Sequence, residues 1–309
     1  MAQAVREALL KAGRGVEDNL ISTLPRELKY TADQVKSIIE TYKNSDINTI
    51  KNNLLNIKQI DRLIYYFAII SFLLAFSRGN IDNLIKIYSE NFIKINKFSA
   101  SSIRNIIYSL IDYLDKKNIE NYTNKVLNIL ENLNRNNIYI WILKQKKIDR
   151  FENDIRRILF DGLGGPSADR GVKAFMRIFI DRNNIPLAYT IAYNDRELRK
   201  YKVHGDIYTS LVTLRSGAFE DIDTLPSQRL KQRIARELLR MDREGRYEKV
   251  KVRLRSIRGL VRSTAYLSGD PLNYEKGAYF VGRNYCSKLM CDSCPIREVC
   301  RKYIFIEIK

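Results

Sequence analysis

Apolar residues recur at helical spacing through most of this chain. Ile103, Ile106, Ile107, Leu110 and Leu114 fall on one face of a helix, with Ser99, Ser101 and Ser102 placed to cap its start. Val126, Ile129, Leu130 and Leu133 repeat that pattern. The run LIYYFAIISFLLAF, residues 63–76, is apolar on every side and predicts a buried helix. It is shorter than the roughly 20 residues that cross a bilayer, so no membrane partner is expected. Further on, Arg229, Arg233, Arg236 and Arg240 mark one side of a helix whose other side carries Leu230, Ile234, Leu238 and Leu239. That pattern predicts one basic face and one core face. After Gly245, Val250, Val252 and Leu254 alternate with Lys249, Lys251, Arg253 and Arg255, which fits a strand or a basic helix face. Around DGLGGPSAD, residues 161–169, the flanking segments FENDIRRILF and SADRGVKAFMRIF predict two helices joined by a tight turn. The expected fold class is all-α.

Composition divides this helical chain. Residues 44–137 are rich in Ile, Lys and Asn and read as a scaffolding bundle. The net charge is +19, and the basic residues change type, from 8 Arg and 15 Lys in residues 1–150 to 21 Arg and 10 Lys in the remainder. Arginine binds phosphate through a planar fork, so the second half is the expected face for a polyanion, against the plainer alternative of a solvated basic surface. The expected division is an N-terminal helical region (1–150), a DNA-binding region (151–285) and a cysteine loop with tail (286–309). The N-terminus lacks the apolar core and cleavage site of a secretory signal, which leads us to expect a cytoplasmic, nucleoid-associated protein.

All four cysteines, Cys286, Cys291, Cys294 and Cys300, lie in fifteen residues, spaced C-x4-C-x2-C-x5-C. In a reducing compartment such a cluster points to metal ligands. Zinc and a 4Fe-4S cluster both take four thiolates. One continuous loop, rather than two separated knuckles, favours the 4Fe-4S cluster, with zinc as the alternative. In DGLGGPSAD, glycines and a helix N-terminus can form an anion site, although an ordinary helix corner has the same composition.

AYFVGRNYCSKLMCDSCPIREVCRKY resembles the C-terminal cluster loop of the endonuclease III branch of the helix-hairpin-helix DNA glycosylases. That family's loop is C-x6-C-x2-C-x5-C, introduced by an aromatic-Gly-Arg phrase matched here by Gly282 and Arg283. The first arm is two residues shorter. DGLGGPSAD similarly resembles the family's P-G-x-G-x-K-T-A hairpin. The resemblance covers about 35 residues and implies a two-lobed helical fold with a C-terminal iron-sulfur loop. It also implies duplex DNA as partner and excision of a damaged or mispaired base. The expected DNA contacts are Gly162, Gly164, Gly165, Ser167 and Lys173 at the hairpin, and Arg229, Arg233, Arg236 and Arg240 on the basic helix. Pro166 stands where bifunctional members carry a nucleophilic lysine, which implies a monofunctional enzyme that activates water. Its carboxylate would be Asp206, which has Arg215 nine residues on, or Asp181, which is nearer the hairpin. His204, Tyr189, Tyr193 and Tyr208 could line a base pocket, but none is singled out. Two rivals stand beside this expectation: an iron-sulfur nucleic-acid-binding protein without catalysis, and a cluster-bearing RecB-like nuclease.

Overall fold

The computed structural model describes residues 1–135 and 137–309 and is helical nearly throughout, as expected of an all-α chain. Two compact units form. One comprises Met1–Val16 together with Arg199–Lys309, and the other Glu17–Leu198. These boundaries differ from the division at 150 and 285 drawn from composition: the first helix belongs with the C-terminal third, and residues 151–198 belong with the helices that precede them.

That first helix, α1 (Ala2–Arg14), is followed in the Glu17–Leu198 unit by α2 (Asn19–Ser22), α3 (Arg26–Tyr42), α4 (Ile47–Leu54), α5 (Ile60–Phe76) and α6 (Ile81–Phe92). The same unit continues with α7 (Ala100–Ser109), α8 (Ile119–Arg135), α9 (Ile138–Leu143), α10 (Ile148–Phe160), α11 (Pro166–Ile180), α12 (Tyr189–Ala192) and α13 (Asp195–Leu198). Helix α5 is its central strut, buried from Leu63 to Ala75 as its uninterrupted apolar run demands. It packs most closely on α11, where a side chain in place of Gly171 would come within 2.5 Å of the Ser71 carbonyl oxygen. Phe67 and Phe179 meet edge to face across this contact. Ser99 caps α7 through the Ser102 N–H, as its sequence predicts.

The other unit joins α1 to α14 (Ile207–Arg215), α15 (Leu225–Glu244), strand β1 (Val250–Val252), α16 (Leu254–Leu267), α17 (Pro271–Asn284) and strand β2 (Ile306–Ile308). Helices α1 and α17 cross backbone to backbone: a Cβ on Gly277 would lie 1.9 Å from the Leu9 carbonyl oxygen, and one on Gly13 2.0 Å from that of Asn273. Arg6 adds a bidentate pair to Asp221, at 2.6 and 2.7 Å. The alternating stretch after Gly245 divides: Val250–Val252 is a strand, β1, parallel to β2 with Val250 opposite Ile306, while Leu254 and Arg255 open α16. Its inward side chains Val250 and Val252 join Leu230, Ile234, Ile257 and Phe305 in a small core.

Candidate active site and four-thiol loop

Helix α14 connects the features singled out in the sequence within this unit. Its N-cap is Asp206, whose Oδ1 accepts the Thr209 N–H at 2.8 Å. The preceding loop is held from α17, where buried Glu275 accepts the Tyr201 hydroxyl at 2.8 Å and the His204 backbone N–H at 2.6 Å. Gly205 then turns the chain at φ 64°, a left-handed conformation that glycine takes without steric cost. A second contact with α17 fixes the start of the helix. Gly282 lies so close to the Tyr208 carbonyl oxygen that a Cβ there would approach to 2.4 Å, and the Tyr208 and Tyr279 rings stack edge to face.

At the other end of α14, Arg215 is buried and donates from Nε to the Ile306 carbonyl at 2.9 Å and from Nη1 to the Cys286 carbonyl at 2.8 Å. The cysteine loop closes on the same helix end, with the Arg301 N–H bonded to the Ser216 carbonyl and the Tyr303 N–H to that of Arg215. Cys286, Cys291, Cys294 and Cys300 all line one pocket, together with Val212, Val281, Met290 and Ile296. None of the four forms a disulfide. Burial pushes the Cys286 thiol up to about 11, against the opposing pull of Arg215, and raises the Cys294 and Cys300 thiols as well. The Lys302 N–H points at the Cys300 sulfur from 3.4 Å, an arrangement that suits a thiolate.

In donor type and number the four thiols, which line one pocket, suit a 4Fe-4S cluster or a zinc ion. Among the described residues no group of three or more His, Cys, Asp or Glu side chains is placed to hold a metal ion.

The hairpin lies in the Glu17–Leu198 unit. Helix α10 ends at Asp161 in a left-handed conformation, Gly162 (φ 78°) and Gly165 (φ 97°) complete the turn, and Pro166 opens α11 at its first position. Gly162, Gly164, Gly165 and Ser167 are exposed, and a Cβ on any of these glycines would meet nothing within 4 Å. Their glycine character therefore answers to backbone conformation or to something outside the unit, not to packing. Lys173 departs from expectation. It is 1% exposed, with Nζ 2.6 Å from Glu152 Oε2, so it pairs inside the hairpin and cannot reach a phosphate. Arg156 completes this internal charge group through Glu152 and Asp169.

Asp181 is buried at the C-terminus of α11, where Oδ1 accepts the Asn183 N–H at 2.9 Å. It shapes the chain's exit from a helix, whereas Asp206 begins one. On α15 the four arginines differ. Arg229 and Arg236 are exposed, Arg233 donates to the Lys251 carbonyl, and Arg240 is neutralised by Glu237 and Glu248. The expected core face holds only for Leu230 and Ile234. Leu238 and Leu239 are exposed, because past Ile234 the helix extends beyond the small core beneath it. Glu275 escaped the sequence reading. Its one signal is an acid set among Tyr274, Gly277 and Ala278 on a helix that is otherwise buried there.

Among the described residues no helix is long and apolar enough to cross a membrane. No protein-family model matches the chain, and comparison with curated proteins and with solved structures finds no similar one.

Proposed function

We propose that this chain is a monofunctional DNA glycosylase whose four cysteines hold a 4Fe-4S cluster. The observation that carries the reading is helix α14, which has a half-buried carboxylate, Asp206, at one end and the four-thiol pocket at the other. The cysteine motif and glycine hairpin resemble the glycosylase family in two separate segments, and both sequence features correspond to discrete structural ones. The hairpin adds exposed backbone for phosphate contact: the N–H groups of Gly164, Gly165 and Ser167 have no hydrogen-bond partner among the described residues.

In the proposed reaction Asp206 orients a water molecule toward C1′ of a flipped-out nucleotide. The C1′–N bond breaks with its electron pair leaving on the base, which takes up a proton from solvent. The water oxygen bonds to C1′, and its proton passes to the Asp206 carboxylate, which returns it to solvent. Before that bond forms, the negative carboxylate stabilises the positive charge on the sugar. Pro166 has no amine, so no Schiff base forms at the hairpin and the strand stays intact. When bound, the cluster supplies four metal–sulfur cross-links that fix the loop against α14, and no step of base release passes through it.

The test uses duplexes carrying uracil, a G:T mismatch, adenine opposite 8-oxoguanine, or an oxidised pyrimidine. Strand breakage that appears only after alkali on one of these supports the reading. Binding without base release on every duplex would favour the non-catalytic DNA-binding protein, and metal-dependent cutting of undamaged DNA would favour a nuclease.

A further inference from the structure

We infer that the outer face of α16 is a docking surface for the sugar-phosphate backbone of duplex DNA, beside Asp206. The inference rests on the glycosylase reading and adds where the duplex is gripped. Helix α16 buries Ile257, Leu260, Val261, Thr264 and Ala265. Arg255, Arg258, Gly259, Arg262 and Tyr266 fall within the opposite face, at the i, i+3, i+4, i+7, i+11 spacing. The helix contains no acid, so this positive charge is not offset along its own length. Arg255 makes no ion pair among the described residues, and the sheltered Nε of Arg258 has no hydrogen-bond partner there. Tyr266, 62% exposed, ends the stripe with a ring that can pack on a deoxyribose or base.

Gly259 is the second observation. It sits mid-helix, where glycine costs about 1 kcal/mol relative to alanine, yet a Cβ there would meet nothing within 4 Å. Packing within the unit does not require it. Beside Arg255 and Arg258, a bare helix backbone lets a bulky polyanion approach closely while the two guanidinium groups reach its phosphates.

This face also adjoins the candidate carboxylate. Arg262 Nε donates to the Val203 carbonyl at 3.2 Å, and Cγ of Arg258 lies 3.8 Å from where a Cβ on Gly205 would be. Both contacts fall on the loop that leads into Asp206. On α15, Arg240 is already paired with two glutamates and Arg233 with a backbone carbonyl, which leaves Arg229 and Arg236 without an ion pair among the described residues.

The test measures binding of the full chain to an undamaged duplex by fluorescence anisotropy across a salt series. Each B-DNA phosphate contact contributes about 0.9 to the slope of log K against log salt. Arg255→Ala and Arg258→Ala are each expected to lower that slope by about this amount. Gly259→Glu, which puts a carboxylate into open space on a good helix former, is expected to weaken binding at least tenfold. The double variant Lys94→Ala/Lys97→Ala, two exposed lysines of the Glu17–Leu198 unit, should leave the slope unchanged. Thermal unfolding of each variant establishes that it is folded, and the two exposed positions, 255 and 259, keep the test valid should Arg258→Ala unfold. If the wild-type chain binds duplex but R255A and G259E bind it identically, the α16 assignment is overturned while the glycosylase reading stands. Unchanged DNA binding with lost binding of poly-glutamate would assign the face to an acidic polypeptide and overturn it equally. A wild-type chain that binds no duplex at any salt overturns the glycosylase reading itself, and this face with it.

Discussion

Replacing Gly282 by alanine tests the contact that holds α14, and with it Asp206, against α17. The added Cβ would lie 2.4 Å from the Tyr208 carbonyl oxygen and 3.0 Å from Tyr208 Cβ. Ordinary contact begins near 3.4 Å, so the two helices must separate by about 1 Å at a point where both are backbone. Overpacking of this kind costs about 1–3 kcal/mol. At about 3–4 °C of melting midpoint for each kcal/mol, Gly282→Ala should lower the midpoint by several degrees. The same shift moves the start of α14, and a 1 Å misplacement of a catalytic group can cost about 100-fold in rate. Gly259→Ala is the internal control: it too lies mid-helix, but its Cβ meets nothing, so it should raise stability by about 0.5–1 kcal/mol. Differential scanning calorimetry of both variants reads the comparison. If Gly282→Ala melts with the wild type, the close approach of α17 to α14 is wrong, and so is the anchoring of Asp206 that depends on it.

Two other predictions follow from buried groups. Lys173→Ala strands part of the Glu152 charge inside the hairpin and should cost about 3 kcal/mol in urea unfolding, the low end for a broken buried pair because Arg156 still binds Glu152. It should not alter the salt dependence of DNA binding, as loss of a phosphate-contacting lysine would. In the metal-free chain the Cys286 thiol, raised by burial from 9.0 to about 11, stays protonated at pH values where the unfolded chain has already ionised. Its stabilising contribution is therefore complete below about pH 9 and lost as pH rises through about 11, visible as a falling unfolding free energy in reducing buffer. Cluster-loaded protein, with the thiols already ligated as thiolates, should not show that loss.

Legibility differed between elements for physical reasons. The all-α class and the buried α5 could be read because a helix announces its buried face by periodicity, or by the absence of any polar side. Asp206 as an N-cap was readable because capping is local in sequence. The joining of α1 to the C-terminal third was not, since its determinants are two glycines, Gly13 and Gly277, more than 260 residues apart, whose importance lies in what a Cβ would hit. Lys173 was misread as a DNA contact because the acid that buries it, Glu152, lies on the preceding helix, and only the hairpin's closure brings the two together. Leu238 and Leu239 show the reverse error: their periodicity is right, but nothing in the small core reaches far enough along α15 to cover them. Strand β1 was ambiguous because its partner, β2, lies beyond the cysteine loop.

The most direct test of the central claim is the single-turnover rate of base release on the duplex the wild-type chain processes, compared with Asp206→Asn and Asp181→Asn. Asparagine keeps the size and one acceptor oxygen at each site, and replaces the other oxygen and the charge by an amide donor. Asp206→Asn should slow release by about 100-fold or more, the scale of a lost general base or charge stabiliser, while Asp181→Asn stays within a few-fold of wild type. Equal rates for Asp206→Asn and the wild type would contradict that claim.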